Sequence, residues 1–392
     1  MAASLPQDIL LDVFRRLEAT AVLSCAAACK PWRRAIIGNA SCLRPRPDRF
    51  LPELLLGFFY TYWARGRLGP CATMPGPLEA ALAVAMDAGD ETKGFVSRPG
   101  TVPPFAQAAA GVDMALYDET LSSRDGHLLL KGSTVQDLCL YNPMTGGLDF
   151  VPAAAFRAHT YVLVTGYDLT PSDGDEHASM VHIFAARMDA MEGGYVMSYQ
   201  IFSTSGGGAT SGWGPVSRSS DKLRKDAVAR MSQGHEVICG GAIHWLGSSM
   251  RNGLFTCTIA IDMRTGRTWT TRLPENYHGH TMFVMATSMD GRLSVVSSCR
   301  FSRRIQVWVL IGAGRWTLRR TIDVYRPSAA INVQLIRFCP RSGCVLAKQS
   351  DKVLHIDIER CLCSPVWCIG PSIDFWPYEM DWATYISKMK FF

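Results

Sequence analysis

Two histidines stand one residue apart at His278-x-His280, a spacing that on a strand aims both imidazoles to one side, as a metal would require. No carboxylate or cysteine stands near them at ligand spacing, so a loop or a strand pair accounts for them better. The nearest cysteine pairs, Cys361-x-Cys363 and Cys339-x4-Cys344, lack the second pair of a zinc ribbon, and no CxxC occurs. The acidic stretch 168-DLTPSDGDEH-177 lacks the alternating ligands and distal Glu of a calcium loop and reads as a solvated turn. Gly/Ser-rich 203-STSGGGATSGWG-214 has no following Lys or helix pattern and reads as a hairpin loop instead of a phosphate cradle. There is no P-loop, no G-x-S-x-G elbow, no HExxH and no dinucleotide fingerprint. The expectation is no catalytic residue, no metal and no cofactor.

Composition narrows the class further. The chain has 392 residues, 48% apolar and 19% charged, which describes a folded protein long enough for one small and one large domain. Its net charge of +6 comes without any dense Lys/Arg run, so no nucleic-acid partner is expected. Asp8 and Asp12 interrupt the apolar stretch near the start, so no signal peptide is read there. The run Leu51 to Trp63 carries Glu53 and is too short to span a bilayer. Thirteen scattered cysteines fit buried thiols in a reducing compartment. The expected setting is cytoplasmic or nuclear, with no membrane contact.

The elements must do the positioning. In 5-LPQDILLDVFRRLEATAVLSCAAACKPWRRAI-36, Ile9, Leu10, Val13, Phe14 and Leu17 form a helical stripe, with Ser4 as N-cap and Pro6 near the first turn. Thr20 is placed to cap a second helix containing Leu23, Ala26, Ala27 and Cys29, which Lys30-Pro31 should break. Trp32, Ile36 and Ile37 suggest a third. Three short helices bury little surface alone, so they either pad the following domain or form half of an interface.

These residues resemble the F-box motif: Leu5-Pro6-Gln7-Asp8, Ile9-Leu10, Val13-Phe14, Leu17, Leu23 and Ala28-Cys29-Lys30-Pro31-Trp32 stand in its order, with Ala28 and Pro31 departing from the usual pattern. The resemblance implies an F-box domain over residues 1–43 that binds a Skp-family adaptor, and through it a cullin-RING ubiquitin ligase. The adaptor-binding residues it implies are Leu5, Pro6, Ile9, Leu10, Val13, Phe14, Leu17, Leu23, Cys29 and Trp32.

Arg44-Pro45-Arg46-Pro47 is a stiff break, and residues 44–392 change character. Short β-branched or aromatic runs follow, such as 128-LLLKG-132, 161-YVLVTGY-167, 237-VICGGAIHWLG-247 and 305-IQVWVLI-311. A strand–turn–strand phrase recurs at 139-CLYNPMTGGLDFVP-152, 259-IAIDMRTGRTWTTRLP-274, 307-VWVLIGAGRWTL-318 and, faintly, 354-LHIDIERCLCSPVW-367. The spacing of roughly 45 to 60 residues is that of β-propeller blades, and Tyr199 to Phe202 with Trp213 fits the one double-length gap. A sandwich of irregular hairpins carries the same pattern. The expected fold is therefore α+β and multidomain: a three-helix module, then an all-β propeller of about six blades. The tail 373–392 is expected to close the ring with a strand and end in a short helix.

Phrases such as 54-LLLGFF-59, 141-YNPMTG-146, 241-GAIHWL-246 and 378-YEMDW-382 resemble the F-box-associated, kelch-like propeller domains of plant families, particularly those of grasses. The two resemblances together imply a non-catalytic substrate-recognition subunit of an SCF-type ubiquitin ligase, the propeller holding an unknown protein substrate. A scaffold that never delivers substrate, or a propeller enzyme, are the alternatives. Trp63, Trp213, His278, His280 and Trp376 are candidates for loops at a binding face, without assignment to the substrate site.

Overall fold

A computed structural model describes residues 6–17, 19–40, 43, 50–63, 91–97, 117, 119–132, 137–166, 168, 181–204, 211–224, 230–231, 234–248, 254–274, 281–299, 304–312, 314–324, 333–350, 352–368 and 373–388. Helices α1 (Gln7–Arg16), α2 (Ala19–Ala28) and α3 (Lys30–Gly38) come first, and α4 (Trp382–Lys388) comes last. Everything described between them is strand, turn or a single 3-10 turn, Pro52–Leu54.

The strands form six antiparallel sheets, five of four strands or more and a sixth of three. Each recurring phrase lies on the third and outermost strands of a sheet, as in Leu138–Asn142 with Gly147–Val151 and Phe255–Asp262 with Thr268–Arg272. The double-length gap holds Gly194–Ser203 paired with Gly212–Trp213, as the spacing predicts. Apolar clusters join one sheet to the next. Leu129 and Leu140 meet Ile183 and Phe202, Phe184 meets Trp245 and Ile259, and Leu246, Val295 and Val345 share a third cluster. Each sheet is thus covered by its neighbours, the arrangement of a propeller.

Closure uses both halves of the chain. Leu55–Trp63, the first strand, pairs with Ile373–Glu379, the last, and the latter also packs against Glu119–Arg124 of the next sheet. The first strand is thereby central in its sheet, and the last is covered by the sheet it packs against.

The tight turns follow one local rule. The Asn142 side chain accepts bonds from the Met144 and Thr145 amides, and the Asp262 side chain does the same for Arg264 and Thr265. The fourth residue on, Gly146 or Gly266, then takes positive φ, +73° and +68°. In the faint fourth phrase Asp357 accepts from Glu359 and Arg360, and Cys361 occupies the same left-handed place at φ +57°. The turn survives there without its glycine, which is why the phrase is hard to read in sequence.

Candidate functional site: the N-terminal helices and their exposed stripe

Local chemistry sets the three helices. Pro6 occupies the N-cap position of α1, and its carbonyl accepts from the Leu10 amide, 3.1 Å. The cap expected of Ser4 lies outside the described residues. Helix α2 starts at Ala19, so Thr20 lies inside its first turn and does not cap it. It stops at Ala28, and Cys29 is extended (φ −156°, ψ 156°), with Pro31 then in the first turn of α3. The Lys30-Pro31 pair thus ends one helix and opens the next. At the far end of α3, the Asn39 side-chain amide donates to the Ala35 carbonyl, 2.8 Å.

The apolar stripe of α1 divides. Phe14 is 2% exposed, meets Trp32 edge-to-face at 5.8 Å, and shares a core with Val22, Ala26, Ile36, Ala40 and Leu43. Leu10, Leu17, Leu23 and Trp32 pack half-buried against that core. Ile9 and Val13, one turn apart, stay 46% and 44% exposed, and Pro6 beside them is exposed too. Cys29 is exposed and Leu5 lies outside the described residues. The implied adaptor-binding set therefore separates into an outward line, Pro6, Ile9 and Val13, and an inward group that holds the helices together. Ile37, 37% exposed on α3, is a further outward apolar side chain that the expected set omitted.

The inward core is completed from elsewhere in the chain. Leu51 and Leu54 join it from the segment after the helices, and Trp382 and Ile386, 1% and 0% exposed, join it from α4. Residue spacing gave no signal of α4 as a partner, because more than three hundred residues separate it from α3.

Below this contact lies a buried ionic patch built from the turns of several sheets. Arg341 donates two bonds to the Asp125 carboxylate, both 2.7 Å, and the Arg124 guanidinium pairs with Asp168. Thr165 donates to Asp125, 2.6 Å. Burial alone would push the Asp125 carboxyl up, but Arg341, Arg124 and the Thr165 hydroxyl pull it well below the usual carboxylate range. Glu379 accepts from the Ser342 amide and hydroxyl, 2.6 and 2.7 Å, and burial pushes it up to about 7 against those bonds. The Leu51 amide donates to the Arg341 carbonyl, 2.7 Å, and the Met380 amide to that of Leu54, 3.0 Å. The helical module is thus tied to the ring on both sides of this patch. Asp168 is buried here, which corrects its reading as part of a solvated turn; the rest of that stretch from residue 169 lies outside the described residues.

The aromatic and histidine candidates are not gathered into one face. Trp376 is buried on the closing strand with the Arg337 guanidinium stacked over its ring, 3.4 Å to the centroid. Trp63 ends the first strand, and Trp213 is on a short outer strand, its indole donating to the Pro152 carbonyl, 2.7 Å. None of the three is in a loop. His278 and His280 lie outside the described residues. Among the described residues no three His, Cys, Asp or Glu side chains converge as a metal site, and no helix is long and apolar enough to cross a membrane.

Residues 2–41 match the F-box-like family model. No curated protein matches the chain in sequence. Among solved structures, a post-proline cleaving enzyme from Rickettsia typhi shares 10% identity over 74% of this chain and 41% of its own, with a TM-score of 0.35. Apo AztD from Citrobacter koseri shares 10% identity over 66% of this chain and 75% of its own (TM-score 0.33). The β-propeller domain of Cps50 (Swd1) from Myceliophteria thermophila shares 12% over 65% of this chain and 75% of its own (TM-score 0.34). At such scores none of the three bears on function. The chain carries an F-box-like module at its N-terminus, followed by a β-propeller.

Proposed function

We propose that this protein is a non-catalytic substrate receptor of an SCF-type ubiquitin ligase in the cytosol or nucleus. Residues 1–43 dock on a Skp-family adaptor, and residues 44–392 hold a protein to be ubiquitinated. One observation carries the reading: α1 keeps Pro6, Ile9 and Val13 in solvent although its other edge packs at home, with Phe14 buried and Leu10 and Leu17 half-buried. Apolar side chains left outward on a rigid helix fit helix-in-groove recognition by a second polypeptide. Cys29, at the exposed start of α3, belongs to the same docking surface, whereas Leu10, Phe14, Leu17, Leu23 and Trp32 shape it from within. The receptor then acts by proximity, raising the effective concentration of substrate lysines near the charged enzyme.

Co-purification with a Skp-family adaptor tests this. Replacing Ile9 and Val13 together by Asp should weaken adaptor binding by about a hundredfold or more, since each lost apolar contact is worth about 1.5–3 kcal/mol, while the melting temperature stays unchanged. Adaptor binding indifferent to both substitutions overturns the proposal.

A further inference from the structure

Between the second complete sheet and the third, a cleft of about 750 Å³ opens on the face of the sheet built from Thr160–Thr165, Val181–Met191, Gly194–Ser203 and Gly212–Trp213. Its floor is two cross-strand rows. Val164 pairs with His182, His182 with Ser203, and Ser203 with Gly212, making the outer row. Phe184 pairs with Ile201, and Ile201 accepts the Gly214 amide at 2.8 Å, making the inner one. The lining thus sets one polar pair, His182 Nδ1 to Ser203 Oγ at 2.9 Å, beside apolar Val164, Phe184 and Ile201.

The facing wall is two turns of the next sheet, Gly240-Gly241 and Asp262 to Arg264. Glycine keeps the space open on both sides: a Cβ added at Gly212, Gly240 or Gly241 meets no described residue within 4 Å. The floor crosses four strands, roughly 14 Å at the usual strand spacing, enough for about four residues of extended chain. The rim carries both signs. Asp262 turns one carboxylate oxygen back onto the Arg264 and Thr265 amides, which with the nearby Arg264 charge keep it ionised, while the exposed Arg264 guanidinium makes no direct ion pair among the described residues and stays open to a second acid.

We infer that this groove holds a short extended segment of a partner protein, an apolar anchor side chain over Phe184 and Ile201 and an acidic side chain against Arg264. The inference rests on the receptor reading above and names the class of substrate segment it takes. Recognition is by shape and one charge, with an open glycine wall against which the ligand backbone can lie closely.

A random heptapeptide display library panned on the full chain tests it, with the hits re-measured as labelled synthetic peptides. Hits should pair an apolar residue with Asp or Glu one or two positions away. Their affinity should fall at least tenfold in Gly212→Trp, which fills the outer end of the groove. It should fall several-fold in Arg264→Glu and recover there when the peptide's acid is changed to Lys. Hits without that pairing, hits indifferent to both variants, or no hits overturn the inference. Hits that reproduce this chain's own sequence assign the groove to a second copy and overturn it as well. Adaptor co-purification keeps the two proposals apart: both variants should retain it, and a wild type that binds the peptides but no adaptor sinks only the receptor reading.

Discussion

Asp125 and Glu379 sit in one ionic patch under opposite influences, and their pH behaviour differs accordingly. Asp125 is held ionised by its arginines, so its contribution is present above its unfolded value and is lost as pH falls through the lower folded one. Glu379 is raised from an ordinary 4.5 to about 7 by burial. Its contribution is complete below about pH 4.5 and is lost as pH climbs through about 7. The melting temperature of wild type minus that of Glu379→Gln should therefore shrink on going from pH 5 to pH 8, by on the order of 5 °C. A difference that stays flat across that range would remove Glu379 from the account. Gly266 makes a simpler demand. It sits at φ +68°, and an added Cβ would lie 2.7 Å from the Tyr199 hydroxyl. Gly266→Ala should lower the unfolding free energy by about 1–2 kcal/mol in a urea titration.

At the scale of elements, α4 is the piece on which the helical module depends. Trp382 fills the core that Phe14 and Ile36 open toward it. Trp382→Ala should loosen that core by about 3–5 kcal/mol. Amide exchange should then speed up in α1 to α3 and hardly change in the sheets. Uniform exchange in both regions would count against a shared core. Much of the element order was legible beforehand. The strand–turn–strand phrases fell on third and outer strands because their Asx turns and left-handed glycines are purely local. The apolar stripe of α1 was legible as a stripe, yet not which edge would be buried. At about 100° per residue Ile9, Val13, Leu17, Leu10 and Phe14 spread over roughly 140°, wider than one contact needs. The packing of Phe14 on Trp32 and the α2 and α3 side chains makes its edge the inner one, and the remote α4 completes that core. The buried ion pairs were illegible for the same reason: Asp125 and Arg341 are 216 positions apart.

Over the whole molecule, the seam of the ring is where its parts meet. The first and last strands pair there, the ionic patch links the turns of neighbouring sheets there, and the helical module is fastened to both. The period of the repeats pointed to about six blades, against five sheets of four strands or more and a three-stranded closing sheet among the described residues; the groove beside Arg264 had no signal in the period, since it depends on which glycines face open space across two sheets. The same seam connects the exposed line on α1 to the propeller through the Leu51 and Leu54 backbone and the α4 side chains.

The order of synthesis gives that seam one more meaning. On the ribosome Trp382 and Ile386 emerge more than three hundred residues after the three helices, so the module waits through synthesis of all the described sheets for the side chains that finish its interior. A polypeptide arrested before Trp382 would carry every residue of the outward line on an unfinished support and, on the receptor reading proposed above, would bind an adaptor poorly, leaving docking to chains whose ring has already shut.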